Sequence, residues 1–310
     1  MSSGGEKMTF STKLKEEICQ EEINSLEMRS ELSAILRYDA HITNKITITF
    51  ENGCVARRVF KDIKSIFNIT PHIIVRNQKR LRAKQIYILE LKNNMETILS
   101  RLNINKKSSR SDFDTPEEMV SFVRGAFLVT GSISDPSTSG YHLEFVLNTL
   151  EDANFLNKLL LEMKFDGKVL ERNNKYMVYL KSAEEISDMI RMFKAFNTLF
   201  SFEDIRIYRD HKNMVNRLNN CEIANQEKTT LTGMRQLEDI AYLKEHDLMD
   251  LLDDKTKEII RYRLKYPESS YQELSEIISL ETDYKIGKSG INHHFIKMKK
   301  MVENHKKNES

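Results

Sequence analysis

The sequence predicts an α+β fold: a duplicated unit with approximate twofold symmetry, followed by an all-α domain. Three observations predict it. Between about residues 27 and 208, the order helix, strand hairpin, helix, two strands, helix occurs twice. Leu32 in the first copy corresponds to Val123 in the second, and YILELK (87–92) to YMVYLK (176–181). Strand patterns then stop after residue 200, and residues 250–310 carry short amphipathic helices ending in a basic one. A generic α+β domain without internal symmetry stands beside this reading as the alternative.

The elements follow in order. KLKEEICQEEI (13–23) reads as a short helix, and EMRSELSAILRYDA (27–40) as a second, with Leu32, Ile35 and Leu36 at helical spacing. KITITF (45–50) alternates as a half-buried strand. VARRVFKDIKSIF (55–67) places Val55, Val59, Ile63, Ile66 and Phe67 on one helical face. HIIV (72–75) and KQIYILEL (84–91) read as strands joined by a basic stretch, with a helix at about 94–101. LNINKKSSRSDFD (102–114) is a linker by composition. Asp114 or Thr115 caps the next helix, Pro116 suits its first turn, and Glu117 and Glu118 favour its positive end. That helix runs to Gly131, followed by a turn, a strand at 141–148 and a helix. Two strands joined by Asn173 and Asn174, and a helix from Ala183, complete the copy. In space the copies form two small curved sheets, with the first helix of each at the axis between them.

Composition sets limits. With 310 residues, the chain suits two or three domains. It is 40% hydrophobic and 30% charged, with a formal net charge of only +2, so the distribution of charge is more informative than its sum. Residues 57–84 hold nine Lys or Arg against one acid, and residues 284–302 hold five Lys and no acid. Cys19, Cys54 and Cys221 are too far apart for a zinc set or a disulfide framework and fit a reduced compartment; Cys221 reads as a buried structural cysteine. The first residues, with Met8 as the natural start of folded sequence, lack the apolar core of a signal peptide, and no apolar run reaches membrane-spanning length. No Walker loop or GxGxxG occurs, and no cofactor is called for.

Three stretches, VRGAFLVTGSISDPSTSGYHLEF, RDHKNMVNRLNNCEIANQEKTTLTGMRQLEDI and SKSGINHHFIKMKK, resemble the WhiA family of bacterial regulators of sporulation and cell division. The match covers nearly the whole chain, and its most specific part is the polar segment 210–240. The resemblance implies a degenerate LAGLIDADG homing-endonuclease-like domain and a C-terminal helix-turn-helix. The expected divisions are an N-terminal extension and helix (1–26), the LAGLIDADG-like domain (27–208, halves about 27–104 and 114–208), a polar helical linker (209–249) and the helix-turn-helix domain (250–310). One departure is the link SLETDYKIG, which is longer than the turn of the simplest motif.

In active LAGLIDADG enzymes, the penultimate position of each motif supplies an acid that holds divalent metal at the scissile phosphates. Carried onto LSAILRYDA (32–40) and VRGAFLVTG (123–131), those degenerate positions are Asp39 and Thr130. A threonine hydroxyl is a poor magnesium ligand, so no catalytic residue and no metal site are assigned. Gly125 and Ala126 are expected to permit a close crossing with the helix around Ala34.

The resemblance therefore implies a noncatalytic, sequence-specific DNA-binding protein, a transcriptional regulator tied to cell division and chromosome segregation. Its expected partners are double-stranded DNA and transcription or cell-division proteins, in the cytoplasm at the nucleoid. Candidate DNA contacts lie between Ser270 and Asn304: Ser289 as cap of the last helix, Gly290 for close phosphate approach, Asn292 and His293 for base edges, and Lys288, Lys297, Lys299 and Lys300 for phosphates. Additional DNA or interdomain contacts are Arg76, Lys79, Arg80 and Arg82 on a basic hairpin, and Asn213, Asn216, Arg217, Asn220, Asn225 and Lys228 in the polar segment. Two alternatives are a division or segregation scaffold with auxiliary DNA binding, and a metal-dependent endonuclease.

Overall fold

The computed structural model describes residues 8–77, 85–138 and 140–309. They divide into two compact units, Met1–Arg209 and Asp210–Ser310.

The first unit carries the duplication. After α1 (Phe10–Ile18), its first half comprises α2 (Ser25–Asp39), β1 (His41–Ile42), β2 (Ile46–Phe50), α3 (Gly53–Phe67), β3 (His72–Asn77), β4 (Gln85–Leu91) and α4 (Met95–Arg101). The second comprises α5 (Pro116–Thr130), β5 (Gly131–Ile133), β6 (Leu143–Leu147), α6 (Leu150–Glu162), β7 (Lys168–Arg172), β8 (Lys175–Leu180) and α7 (Ala183–Met192). Both sheets are antiparallel, and their strand orders match, β1-β2-β4-β3 and β5-β6-β8-β7. The expected duplication is thus present as repeated topology.

Local chemistry accounts for the elements. Ile46, Ile48 and Phe50 of β2 point inward between outward Thr47 and Thr49, and Leu143, Phe145 and Leu147 repeat this in β6. Asn173 and Asn174 both adopt left-handed φ, 53° and 57°, as a two-residue hairpin turn requires. Thr115, not Asp114, caps α5: its hydroxyl accepts from the Glu118 N–H at 3.2 Å, with Pro116 in the first turn. α1 starts and stops earlier than its apolar pattern implied, because Thr9 caps it and the chain turns after Ile18. β1 and β5 escape sequence detection because two or three residues are too few for an alternation to register.

At the centre, α2 crosses α5 so closely that a β-carbon at Gly125 would collide with the backbone of Glu31. The tight approach falls one turn before Ala34, the residue expected there. It buries Glu31 completely, and its carboxylate holds charges from both halves. Arg58 of α3 donates Nε and Nη2 to it, and Arg124 of α5 donates Nε at 2.7 Å. Arg58 also donates Nη1 to the carbonyls of Ile18 and Glu21, and Arg124 donates Nη2 to the Ser121 hydroxyl. Around this core, Phe122 meets Tyr38 of the first half and Phe155 of its own, while Phe127 packs on Phe145 and Phe193.

Beside Arg58, buried Asp62 has its Oδ2 3.8 Å from the guanidinium Nε, and that oxygen lacks a hydrogen-bond partner. Burial, reinforced by the neighbouring Glu31 charge, pushes its carboxyl up to about 7. The unfolded chain releases this proton at an ordinary carboxyl pKa, whereas the folded chain keeps it until near neutrality. Stability therefore falls as pH rises from about 4 to 7. Asp62→Asn should flatten that fall, read as the urea midpoint across pH 4–8; an unchanged slope would assign it to other groups.

The second unit is helical. α8 (Phe196–Glu245) begins in the first unit and ends in this one; then come a short 3-10 turn (Met249–Leu251), α9 (Asp254–Lys265), α10 (Tyr271–Glu281) and α11 (Lys288–Glu309). Ile240 and Leu243 of α8 lie in its core with Ile259, Leu274, Ile291 and Phe295, so the compact unit reaches back beyond residue 250. α10 opens with a full capping box between Ser270 and Glu273. Residues 282–287, between α10 and α11, are tied down by the Ser275 hydroxyl donating to the Ile286 carbonyl at 2.6 Å.

Candidate nucleic-acid interface

The ends of α2 and α5 fall where a LAGLIDADG enzyme would present paired acids. The Thr130 hydroxyl instead donates to the Ala126 carbonyl of its own helix at 2.8 Å. Asp39 remains solvent-accessible, yet the protein packed around its carboxyl pushes it up to about 6, against the opposing effects of the Thr49 N–H and of Lys15. Among the described residues no group of three or more His, Cys, Asp or Glu side chains could hold a metal ion.

α11 divides cleanly into two faces. Ile291, Phe295, Met298 and Val302 are buried, the first three as their spacing predicts. Asn292, His293 and Lys300 are exposed on the outer side, as are Lys297 and Lys299. Lys297 pairs with Asp253, the cap of α9, at 2.6 Å, and this bond holds the Asp253 carboxyl far below the usual carboxylate range. Lys299 lies 3.7 Å from Glu303. His294 turns inward to the Thr256 hydroxyl at 2.8 Å, leaving His293 outward.

One expectation changes here. α11 starts at Lys288, so Ser289 lies inside its first turn and is not its cap. At Gly290 the Ile286 side chain packs where a β-carbon would stand.

The middle of α8 carries Asn213, Asn216, Arg217 and Asn220, all exposed and spaced to share one face. Cys221 is also exposed, which corrects its reading as a buried cysteine: no core covers this stretch of helix. Asn225 and Lys228 reach a groove of about 480 Å³, together with Thr229 and Thr232. Its other walls are Arg263, residues 269–272 and Lys288. The groove thus joins residues from separate candidate regions, and Arg263 had no sequence signal beyond its charge. Arg76 is exposed at the end of β3; Lys79, Arg80 and Arg82 lie outside the described residues.

Comparison with known proteins places this geometry. The family model described as the WhiA N-terminal LAGLIDADG-like domain matches residues 25–105, the WhiA LAGLIDADG-like domain matches 119–212, and the WhiA C-terminal HTH domain matches 215–302. A relative from Bacillus cytotoxicus, named probable cell division protein WhiA, is 37% identical over 308 residues, 96% of each chain. The chain belongs to the WhiA family. WhiA relatives of the same name in Bacillus subtilis and Staphylococcus aureus are each 36% identical, covering 96% of this chain and 96% and 97% of theirs. The crystal structure of full-length DUF199/WhiA from Thermatoga maritima shares the fold, with a TM-score of 0.56 over 96% of this chain and 98% of that one, at 22% identity. The WhiA helix-turn-helix match begins at residue 215, inside α8, in keeping with the share of α8 in the core of the second unit. No helix among the described residues is long and apolar enough to cross a membrane.

Proposed function

We propose that this chain is a noncatalytic, sequence-specific DNA-binding regulator acting in cell division and chromosome segregation. The observation that carries the reading is the split of α11: a buried apolar face fixes the helix, and Asn292 and His293 stand exposed near its N-terminal end. Recognition helices of this class meet base edges with their N-terminal residues. Lys300 supplies a cation along the same helix for a flanking phosphate. The names of the relatives, probable cell division proteins, support the setting. Thr130, bonded into its own helix in place of a second acid, weighs against phosphodiester cleavage. Transcription or division proteins would meet the chain at the nucleoid.

The test starts by selecting a preferred duplex from a random pool with the wild-type chain. Asn292→Ala with His293→Ala should reduce preference for that duplex over unrelated DNA by roughly 5- to 150-fold, the value of about 1–3 kcal/mol of base discrimination. Helical content should stay unchanged, since both side chains are exposed. Undiminished preference in the double variant would remove base reading from α11.

A further inference from the structure

Arg263 differs from the other large buried cations of the chain. Its side chain is 1% exposed, like that of Arg124, but Arg124 and Arg58 share the Glu31 carboxylate. Among the described residues no carboxylate pairs with Arg263. Its Nη1 donates to the carbonyls of Tyr266, Pro267 and Ser269, at 3.3, 3.2 and 2.6 Å. Its Nε is buried without any hydrogen-bond partner, and the guanidinium lies 5.6 Å from the Phe295 ring centroid. Carbonyl dipoles and a ring face ease the burial of a cation but do not neutralise it. Burial accordingly pulls the pKa of Arg263 below its ordinary value.

This uncompensated cation forms a wall of the groove between α8 and the α9–α10 turn. The groove lining holds Lys228 and Lys288 as well, both exposed, and no acid. Thr229, Asn225 and Gln272 add neutral polar groups around the cations. The wall is held in place by close backbone packing: a β-carbon at Gly233 of α8 would strike the Pro267 carbonyl oxygen. The first turn of α10 is closed by its own capping box, so the cations rather than the helix end define the site.

We infer that this groove binds a phosphate group, with Lys228 and Lys288 as its mobile cations and Arg263 as the fixed one behind them. A tetrahedral oxyanion suits several donors converging from separate elements. The phosphate can belong to a duplex backbone or to a free phosphate ester. The site does not depend on base reading by α11.

The experiment compares the full chain with Lys228→Gln, Lys288→Gln and the double variant, whose melting temperatures in phosphate-free buffer should match the wild type. In one arm, inorganic phosphate is titrated against chloride at equal ionic strength. Wild-type melting should rise by about 2–4 °C near saturation, and that of the double variant should barely move. In the other arm, binding to one fixed duplex is measured across salt. The double variant should lose about 0.9 from the slope of log K against log salt, the value of the one phosphate that the groove holds. A difference in both arms, or in the salt slope alone, assigns the site to the DNA backbone. A difference in the phosphate arm alone assigns it to a free phosphate ester. Identical behaviour of wild type and double variant in both arms overturns the inference. A double variant that still prefers the selected duplex separates loss of this site from failure of base reading.

Discussion

Glu31→Ala should lower the stability of the first unit by about 3–5 kcal/mol, the usual cost of breaking a buried ion pair from one side. The substitution removes the one carboxylate bonded to both Arg58 and Arg124 while leaving their guanidinium groups in place. Glu31 itself is fully buried, and Arg124 is 1% exposed, so water does not reach the Glu31–Arg124 contact without local opening. Arg58 keeps its carbonyl partners and Arg124 keeps Ser121, while the remaining acids, Asp62 at 3.8 Å from Arg58 and Glu27 at 3.9 Å from Arg124, stand beyond hydrogen-bonding distance and offset only part of the buried positive charge. A matched Glu117→Ala change, at an exposed position of α5, should cost less than about 0.5 kcal/mol. The chain contains no tryptophan, so urea unfolding followed by far-ultraviolet circular dichroism is the suitable measurement. Equal losses in the two variants would show that the buried arginines readily find other partners.

Gly125→Val should be almost as damaging, by about 3 kcal/mol, at the upper end of the ordinary range for overpacking. The obstacle is backbone rather than a yielding side chain, because the new β-carbon would meet the carbonyl oxygen and Cα of Glu31. Relief requires α2 and α5 to separate, which also lengthens the Glu31–Arg124 bond and loosens the Phe122 contact with Tyr38. Gly125→Ala should fall in the same direction with a smaller loss. The same unfolding measurement tests both, and wild-type stability in the valine variant would mean that the crossing has room to spare.

What the sequence made legible is what short-range chemistry determines. The inward run Ile46, Ile48, Phe50, the Asn173–Asn174 turn, the Pro116 helix start and the buried stripe Ile291, Phe295, Met298 are all written within a few neighbouring residues. The duplication was readable for the same reason, since each copy repeats those local patterns. Long-range partners were not. Glu31 and Arg124 meet across 93 positions, and nothing around either residue announces the other. The extent of α8 was hidden too: the chain breaks at Lys194, in a left-handed φ of 60°, and restarts at Phe196, although the surrounding composition looks uniformly helical. In α11, the fold keeps Asn292 and His293 exposed but sets the helix start at Lys288, one residue ahead of Ser289, because helix ends are decided by capping geometry over one or two residues. Arg263 is one of many arginines until α9 folds it inward, with no acid beside it.

The crossing of α2 and α5 also makes the two copies of the repeat different in kind, although their topologies agree. By the correspondence of Leu32 with Val123, Ala34 of the first copy matches Gly125 of the second, and Glu31 matches Phe122. If two first copies met, a methyl group would occupy the place where Gly125 lets the backbones touch, and each Glu31 would face Ser33, the counterpart of Arg124, and lose that cation. If two second copies met, each Arg124 would enter the crossing without a carboxylate opposite. The centre of the first unit thus works as a mating lock: it joins unlike halves and rejects like ones, so the repeat can no longer be assembled from a single kind of half.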